Sequence, residues 1–329
     1  MVGRRCKKDM TMNEEEQMRY MKLRQLQSLN LDSKINLAKQ RIRQFAEEMD
    51  GNVIVSFSGG ADSTVLLHIA RQVIRDVKAV FVNTGLEHSE IVRFVRHVEN
   101  VDIIKPKMSF RQVLDKYGYP VISKDVSCAI HEIRNTKSDY LRNIRLHGGR
   151  KGDGGKLPEK YQFLLNAPFK ISDRCCYMLK KQPLKDYQKK YGVFPIVGVM
   201  ADESRKRLIS YLQYGCNAFK LKVPQSRPFM AWNKQDTLHY LKRFNVPYCK
   251  EIYGDIVSAD LFDDGEVLKF SKAQRTGCTF CMFGAHMEEY PNRFQRMYKE
   301  NPKQWNYCIN YLGLGKVLEY CHIPYKEEE

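Results

Sequence analysis

The sequence predicts an α/β fold built on a doubly wound, Rossmann-like parallel sheet, and three observations lead there. The β-branched run Val53-Ile54-Val55-Ser56-Phe57 ends at Ser58-Gly59-Gly60-Ala61-Asp62-Ser63, which is a poor continuation of a strand. Val65, Leu66, Ile69, Ala70 and Val73 then recur at helical spacing. Downstream, short apolar runs keep alternating with helical segments of the length that βαβ units need.

In chain order, residues 1–31 are charged and Met-rich and read as a frayed helical arm. Asp32-Ser33 is the expected N-cap of an amphipathic helix carrying Ile35, Ala38, Ile42, Phe45 and Met49, which ends near Asp50-Gly51. Strand 53–57, helix 62–74, strand 78–82, helix 88–99, strand 101–105 and helix 109–117 follow. Residues 120–194 break that rhythm, and a basic insertion is placed at about 120–170. Within it, Gly148 to Lys156 reads as a flexible basic loop, either a solvated linker or a segment that orders over a substrate. Strand 195–199 and a helix over about 202–213 rejoin the sheet. The main domain is thus expected over 32–231. A smaller C-terminal section, 232–329, holds one clear helix (233–244) and a Cys-x-x-Cys.

Composition narrows the function classes. The chain of 329 residues carries a net charge of +17, and residues 141–190 hold thirteen Lys or Arg against four Asp or Glu. Such a tract suits a polyanion such as nucleic acid, or a pocket for a small, highly charged nucleotide. Glu251 to Glu266, in contrast, holds six acids and no Lys or Arg. No apolar run approaches the roughly 18 residues that span a bilayer. The basic N-terminus has no apolar segment behind it, so a cytoplasmic protein without a membrane partner is expected. Ten cysteines in such a chain argue for metal or redox use over a disulfide scaffold.

The Ser58–Ser63 turn is the first candidate site. At a strand-to-helix junction, free backbone N–H groups and the helix dipole favour a bound anion, and the Ser58 and Ser63 hydroxyls add donors. No Lys-Ser/Thr pair closes the turn, and its glycines are adjacent, so it is neither a P-loop nor the dinucleotide fingerprint. In open parallel sheets, ligands sit at the carboxyl ends of strands. Asn83-Thr84-Gly85-Leu86-Glu87, after the strand ending at Val82, is a second such end. The cysteines supply the next signal. Cys278 and Cys281 can turn two sulfurs to one side, as in zinc, iron–sulfur or dithiol sites. Cys175 and Cys176 are adjacent and reach one site only from a bent or helical backbone.

Together these residues resemble the phosphoadenylyl-sulfate (PAPS/APS) reductase family of the PP-loop adenine-nucleotide α-hydrolase superfamily, in its iron–sulfur branch. The likeness runs over roughly residues 35–285. It comprises the Ser58–Ser63 loop, Asn83-Thr84-Gly85, Cys175-Cys176 with Lys180-Lys181-Gln182-Pro183-Leu184, and Gly198 to Arg207. It continues through Pro228 to Trp232, Asp236 and Gly277-Cys278-Thr279-Phe280-Cys281. The resemblance implies an adenine-nucleotide α-hydrolase-like fold in which Ser58, Gly59, Gly60, Asp62, Ser63, Asn83, Thr84 and Gly85 bind the nucleotide. It implies catalytic roles for Asp62, Arg205 and Arg207, and a [4Fe-4S] cluster on Cys175, Cys176, Cys278 and Cys281.

Two departures bear on the reaction. The assimilatory adenylyl-sulfate reductases carry Glu-Cys-Gly-Leu-His on a mobile tail, where this chain reads Glu319-Tyr320-Cys321-His322-Ile323. Asn83 also stands where many members have Asp. The favoured reading is therefore an ATP pyrophosphatase-type sulfur-transfer enzyme using ATP with Mg²⁺. It would act on a nucleic acid, as in DNA phosphorothioation or tRNA thiolation, and receive sulfur from a partner such as a cysteine desulfurase. The alternative is a reductase that releases sulfite from APS or PAPS, with Cys321 as nucleophile. The third reading is nucleic-acid binding without catalysis.

Overall fold

The computed structural model describes residues 13–149, 155–262, 265–274 and 276–326. Arg150 to Gly154, most of the loop expected to be flexible, lie outside them, as do residues 1–12 of the N-terminal arm. The chain forms two compact units, each assembled from separated segments. The first comprises Met1–Phe81, Ser89–Ile103 and Tyr187–Thr276, and the second Val82–His88, Ile104–Asp186 and Gly277–Glu329. The stretch read from sequence as a single C-terminal section is thus divided near residue 276. Trp232 and Tyr240 are buried in the same core as Phe45, Val55 and Phe81, which ties 232–276 to the sheet.

That sheet has six strands: β1 (Val53–Phe57), β2 (Lys78–Val82), β3 (Val101–Ile104), β4 (Phe194–Val197), β5 (Asn217–Ala218) and β6 (Gln225–Ser226). Their spatial order is β3-β2-β1-β4-β6-β5. β1 lies parallel to β2 on one side and to β4 on the other, β4 lies parallel to β6, and the short β5 runs antiparallel to β6. The expected α/β class with a mostly parallel sheet and flanking helices therefore holds. Val53, Ile54, Val55 and Phe57 are all buried, the near-continuous apolar pattern of a strand covered on both faces.

Three local features differ from expectation. The second helix starts at Leu31, one turn-corner earlier than Asp32-Ser33 suggests, because the Asn30 carboxamide oxygen accepts from the Ser33 N–H at 2.9 Å. The arm is docked over its described part. Helix Glu14–Gln27 buries Leu23, and Arg19 donates to the carbonyls of Leu212 and Gln213 at 2.7 and 2.6 Å, satisfying the end of helix Arg205–Tyr214. The acidic tract from 251 contains an antiparallel hairpin, β7 (Ile256–Phe262) and β8 (Gly265–Phe270), unforeseen although Asp264-Gly265 is a hairpin turn signal.

The second unit is largely helical. Its insertion is packed: helices Lys124–Asn135 and Asp139–His147 precede a short 3₁₀ stretch, Glu159–Asn166. The Arg134 guanidinium ties them together by donating to the carbonyls of Leu164, Leu165, Ala167 and Phe169 at 2.7–3.0 Å. Among the described residues, no helix is long and apolar enough to cross a membrane.

Candidate functional site

The Ser58–Ser63 turn is built by three requirements of the backbone. Gly59 adopts φ +70°, and a Cβ there would lie 2.8 Å from the Cγ2 atoms of both Ile91 and Val95, so only glycine fits. Gly60 is the N-cap of helix Ala61–Val73 and provides no capping side chain of its own, so N–H groups of the first turn beyond Ala61 are not taken up by a cap. The two serines hold the turn closed, their hydroxyls 3.0 Å apart. Ser63 Oγ donates to the Gly60 carbonyl at 2.9 Å, and the Ser58 N–H donates to Ser63 Oγ at 3.2 Å.

Residues distant in sequence complete this loop. Asp62 Oδ1 accepts from the Thr237 hydroxyl at 2.8 Å and stands 3.4 Å from Lys234 Nζ. The Tyr253 hydroxyl accepts from the Ala61 N–H at 3.3 Å and lies 3.0 Å from the Thr276 hydroxyl. Both hydroxyls would be 3.3 Å from a Cβ on Gly60. Gly198, past β4, packs against the same helix start, where a Cβ would be 3.3 Å from the Asp62 carbonyl. Sequence reading missed Lys234, Thr237, Tyr253 and Thr276, and no local motif marks them.

In the second unit, the end of β2 leads into a compact knot. Glu87 accepts from both the Thr84 N–H and its hydroxyl at 2.9 Å, and the Asn83 side chain accepts from the Gly85 N–H at 3.1 Å. Lys180 Nζ stands 3.4 Å from the nearly buried Glu87 carboxylate. Burial alone would lower the pKa of this ammonium, but Cys278 and Glu87 nearby prevail and raise it. The Thr279 N–H donates to the Leu86 carbonyl at 2.8 Å, so the Cys-x-x-Cys turn is pinned to this strand end.

The four paired cysteines share that neighbourhood. Cys175 and Cys176 stand on a helical turn, Arg174–Cys176, that runs into a π-helical turn over Tyr177–Lys181. Cys175 lies within electrostatic range of Cys176, Cys278 and Cys281. The neighbouring Cys175 holds the Cys176 thiol below its usual range against the effect of burial, helped by Lys124 and Lys180. Burial raises Cys278 and Cys281, the former to about 11. Among the described residues, no three His, Cys, Asp or Glu converge on one point as ligands of a single ion. The donor set is all thiol, with Cys175 buried and Cys176, Cys278 and Cys281 half-buried, and it is flanked by two ammonium groups. That chemistry fits a net-negative thiolate-ligated cluster, whose thiolates need not meet at one point.

Comparison with known proteins decides the family. The model of the phosphoadenosine phosphosulfate reductase domain matches residues 52–159 and 127–281, together well over half of the chain. The chain belongs to the phosphoadenosine phosphosulfate reductase family. Both the PP-loop turn and the four paired cysteines fall within the matched segments.

Among relatives of this reductase-family chain are two uncharacterized proteins of Methanocaldococcus jannaschii. One is 34% identical over 275 residues, 82% of this chain and 43% of that protein, and the other 28% identical over 160 residues, 44% and 38%. The chain thus matches about two fifths of the length of each. It is also 20% identical over 230 residues to adenosine 5'-phosphosulfate reductase 2 of Bacillus subtilis, covering 65% of this chain and 77% of that protein. Solved structures are similar at a distance. Phosphoadenylyl-sulfate reductase from Candida auris aligns at 14% identity and a TM-score of 0.36, over 74% of this chain and 93% of that one. NH3-dependent NAD synthetase from Campylobacter jejuni aligns at 14% identity and a TM-score of 0.34, over 66% and 75%.

The structure places four further residues that the sequence singles out. Arg205 is exposed in the first turn of helix Arg205–Tyr214, and Arg207 pairs with Glu203. Asp236 forms a capping box with Asn233 and a buried ion pair with Lys34 at 2.8 Å, which is structural work. Cys321 is buried, closing helix Leu314–Tyr320 among Leu318 and Ile323.

Proposed function

We propose that this chain is a PP-loop ATP pyrophosphatase-type sulfur-transfer enzyme that activates a nucleic acid, as in DNA phosphorothioation or tRNA thiolation. The observation that carries this reading over sulfite release is Cys321. A nucleophile for the sulfur of adenylyl sulfate must be mobile and ionised, whereas burial pushes the Cys321 thiol up to about 12 and packing fixes it. Charge supports a polyanionic acceptor: residues 104–186 hold eighteen Lys or Arg against eight Asp or Glu.

In this reading, Ser58, Gly59, Gly60, Asp62 and Ser63 hold the β- and γ-phosphates of ATP with Mg²⁺. The acceptor oxygen attacks the α-phosphorus, the α–β bridging bond breaks, and the loop N–H groups with Arg205 or Arg207 stabilise the departing pyrophosphate. Thr237 and Lys234 fix Asp62 for that role. The terminal sulfur of a persulfide carried by a partner such as a cysteine desulfurase then displaces AMP, and a thiol reductant cleaves the resulting disulfide to leave that sulfur on the acceptor. Cys175, Cys176, Cys278 and Cys281 are the residues that would hold a [4Fe-4S] cluster, which supplies a site for sulfur binding or local charge. Lys124 and Lys180 balance that charge.

A second reading, sulfite release from an adenylyl sulfate, is favoured by the name of the Bacillus subtilis relative. Parallel anaerobic assays separate the two. The proposal expects AMP and pyrophosphate from ATP, stimulated by nucleic acid. Robust sulfite release from adenylyl sulfate in the presence of thioredoxin, lost on Cys321→Ser, would replace it with the reductase.

A further inference from the structure

A ladder of aromatic rings leads from the Cys-x-x-Cys turn to the surface of the second unit. Phe280, between Cys278 and Cys281, is buried, with its ring centroid 6.3 Å from Phe110 and 6.2 Å from Tyr307. Tyr307 stacks on Tyr311, centroids 5.0 Å apart and planes 22° from parallel. The two tyrosines stand on a π-helical turn, Tyr307–Tyr311, a widened turn of the kind often found at functional sites. Both are open to solvent, Tyr307 at 45% and Tyr311 at 61%. Arg111 holds the outer rung: its guanidinium carbon lies 4.6 Å from the Tyr311 ring centroid, and its Nη1 donates to the Tyr311 carbonyl at 3.0 Å.

We propose that Tyr307 and Tyr311, with Arg111, form a stacking platform for an unpaired base of the nucleic-acid strand, beside the cysteine group. The inference rests on the nucleic-acid reading above and specifies where that partner is gripped. Tyr307, Tyr311 and the Arg111 guanidinium plane laid over Tyr311 form one exposed stack that a base can extend or enter, and the guanidinium adds a charge for the phosphate between bases. The occupant is argued from charge: segment 104–186 of this same unit, which includes Arg111, is strongly basic. Arg111 stands 3.7 Å from Asp115, an exposed pair that screens it weakly. Rings already ordered by stacking and by the Arg111 contact lose little side-chain freedom when a base arrives.

The test uses the whole chain with short single-stranded DNA and RNA carrying 2-aminopurine, and the same sequences as duplexes. Binding is read by anisotropy, and base stacking by quenching of the aminopurine. Single strands are expected to bind with quenching and duplexes without it, and the DNA and RNA arms identify which strand is preferred. Tyr311→Ala and Tyr307→Ala should each weaken single-strand binding roughly five- to a hundredfold and remove most of the quenching. The dependence on salt should stay as in the wild type, since stacking releases no counterions. Tyr311→Phe, which keeps the ring, should retain both signals, and thermal melting checks that each variant is folded. Wild-type binding without quenching, or folded alanine variants that bind as the wild type does, would overturn the platform alone. Absence of wild-type binding to any strand would instead overturn the nucleic-acid reading and the platform with it.

Discussion

Gly59 shows how little latitude the anion loop has. Its φ of +70° suits glycine, and a methyl group would press on Ile91 and Val95. Gly59→Ala is expected to cost about 1–3 kcal/mol in unfolding free energy, from strain and overpacking together. Denaturant titration checks this, and a loss under half a kilocalorie would mean that the turn is built otherwise. Gly60→Val, which would crowd Ser58, Tyr253 and Thr276, should remove nucleotide binding from a folded protein. Unchanged affinity for ATP and adenylyl sulfate by calorimetry would contradict the site. The turn itself was legible because strand, glycines and helix spacing are local signals. Its supports were not, because Lys234, Thr237 and Tyr253 reach it only through the fold. Cys321 shows sequence and structure pointing the same way, since its context departs from the reductase tail motif and its burial argues against a catalytic role. Its folded pKa is raised from 9.0 to about 12, so the stability it contributes is full below pH 9 and lost as the pH climbs toward 12. Native protein at pH 8 should alkylate at Cys321 far more slowly than unfolded protein, as peptide mapping would show. Equal rates would restore it as a candidate nucleophile.

At the scale of elements, buried charge joins what the sequence separates. Lys34 in the second helix and Asp236 in helix Lys234–Arg243 form an ion pair that is nearly closed to solvent, and the family motif gives no hint of the lysine. Removing one partner leaves the other charged in a low-dielectric interior. Lys34→Met should therefore destabilise by about 3–5 kcal/mol. Adding Asp236→Leu should recover much of that, less the roughly 1 kcal/mol lost with the capping box. If Lys34→Met unfolds within 1 kcal/mol of the wild type, about the worth of an exposed pair, the pair does not hold these helices. Periodicity located β1, β2 and the helix after β1 almost to the residue, because each buries a regular face. It failed at the hairpin β7–β8, where acidic residues masked the alternation. It failed also at the insertion, where Arg134 organises the chain through carbonyl groups that no side-chain pattern reveals.

At the scale of the molecule, charge and the cysteine group carry the functional account. The basic excess is partly spent internally, since Arg145 pairs with Glu132, Lys107 with Asp186 and Lys180 with Glu87. Binding to nucleic acid should still fall by a factor of roughly 10³ between 50 and 200 mM salt if at least six phosphates are contacted. Charge reversal at Lys181 and Lys185 should weaken that binding more than it weakens ATP cleavage, and a flat salt response would remove the polyanion from the account. Protein purified without oxygen should be brown and contain iron that oxygen releases, whereas stoichiometric zinc with no iron would refute the cluster assignment. The fold class was legible because alternation of strands and helices is written along the chain. The division into two units was not, since both are assembled from separated segments. Transfer of sulfur to nucleic acid at the expense of ATP is measured by incorporation of label. Anaerobic protein would be incubated with a cysteine desulfurase, cysteine carrying radioactive sulfur, and DNA or tRNA, with and without ATP. ATP-dependent label is expected in the nucleic acid, surviving thiol reduction and absent with Gly60→Val. Unlabelled nucleic acid from a preparation that releases sulfite from adenylyl sulfate would contradict it.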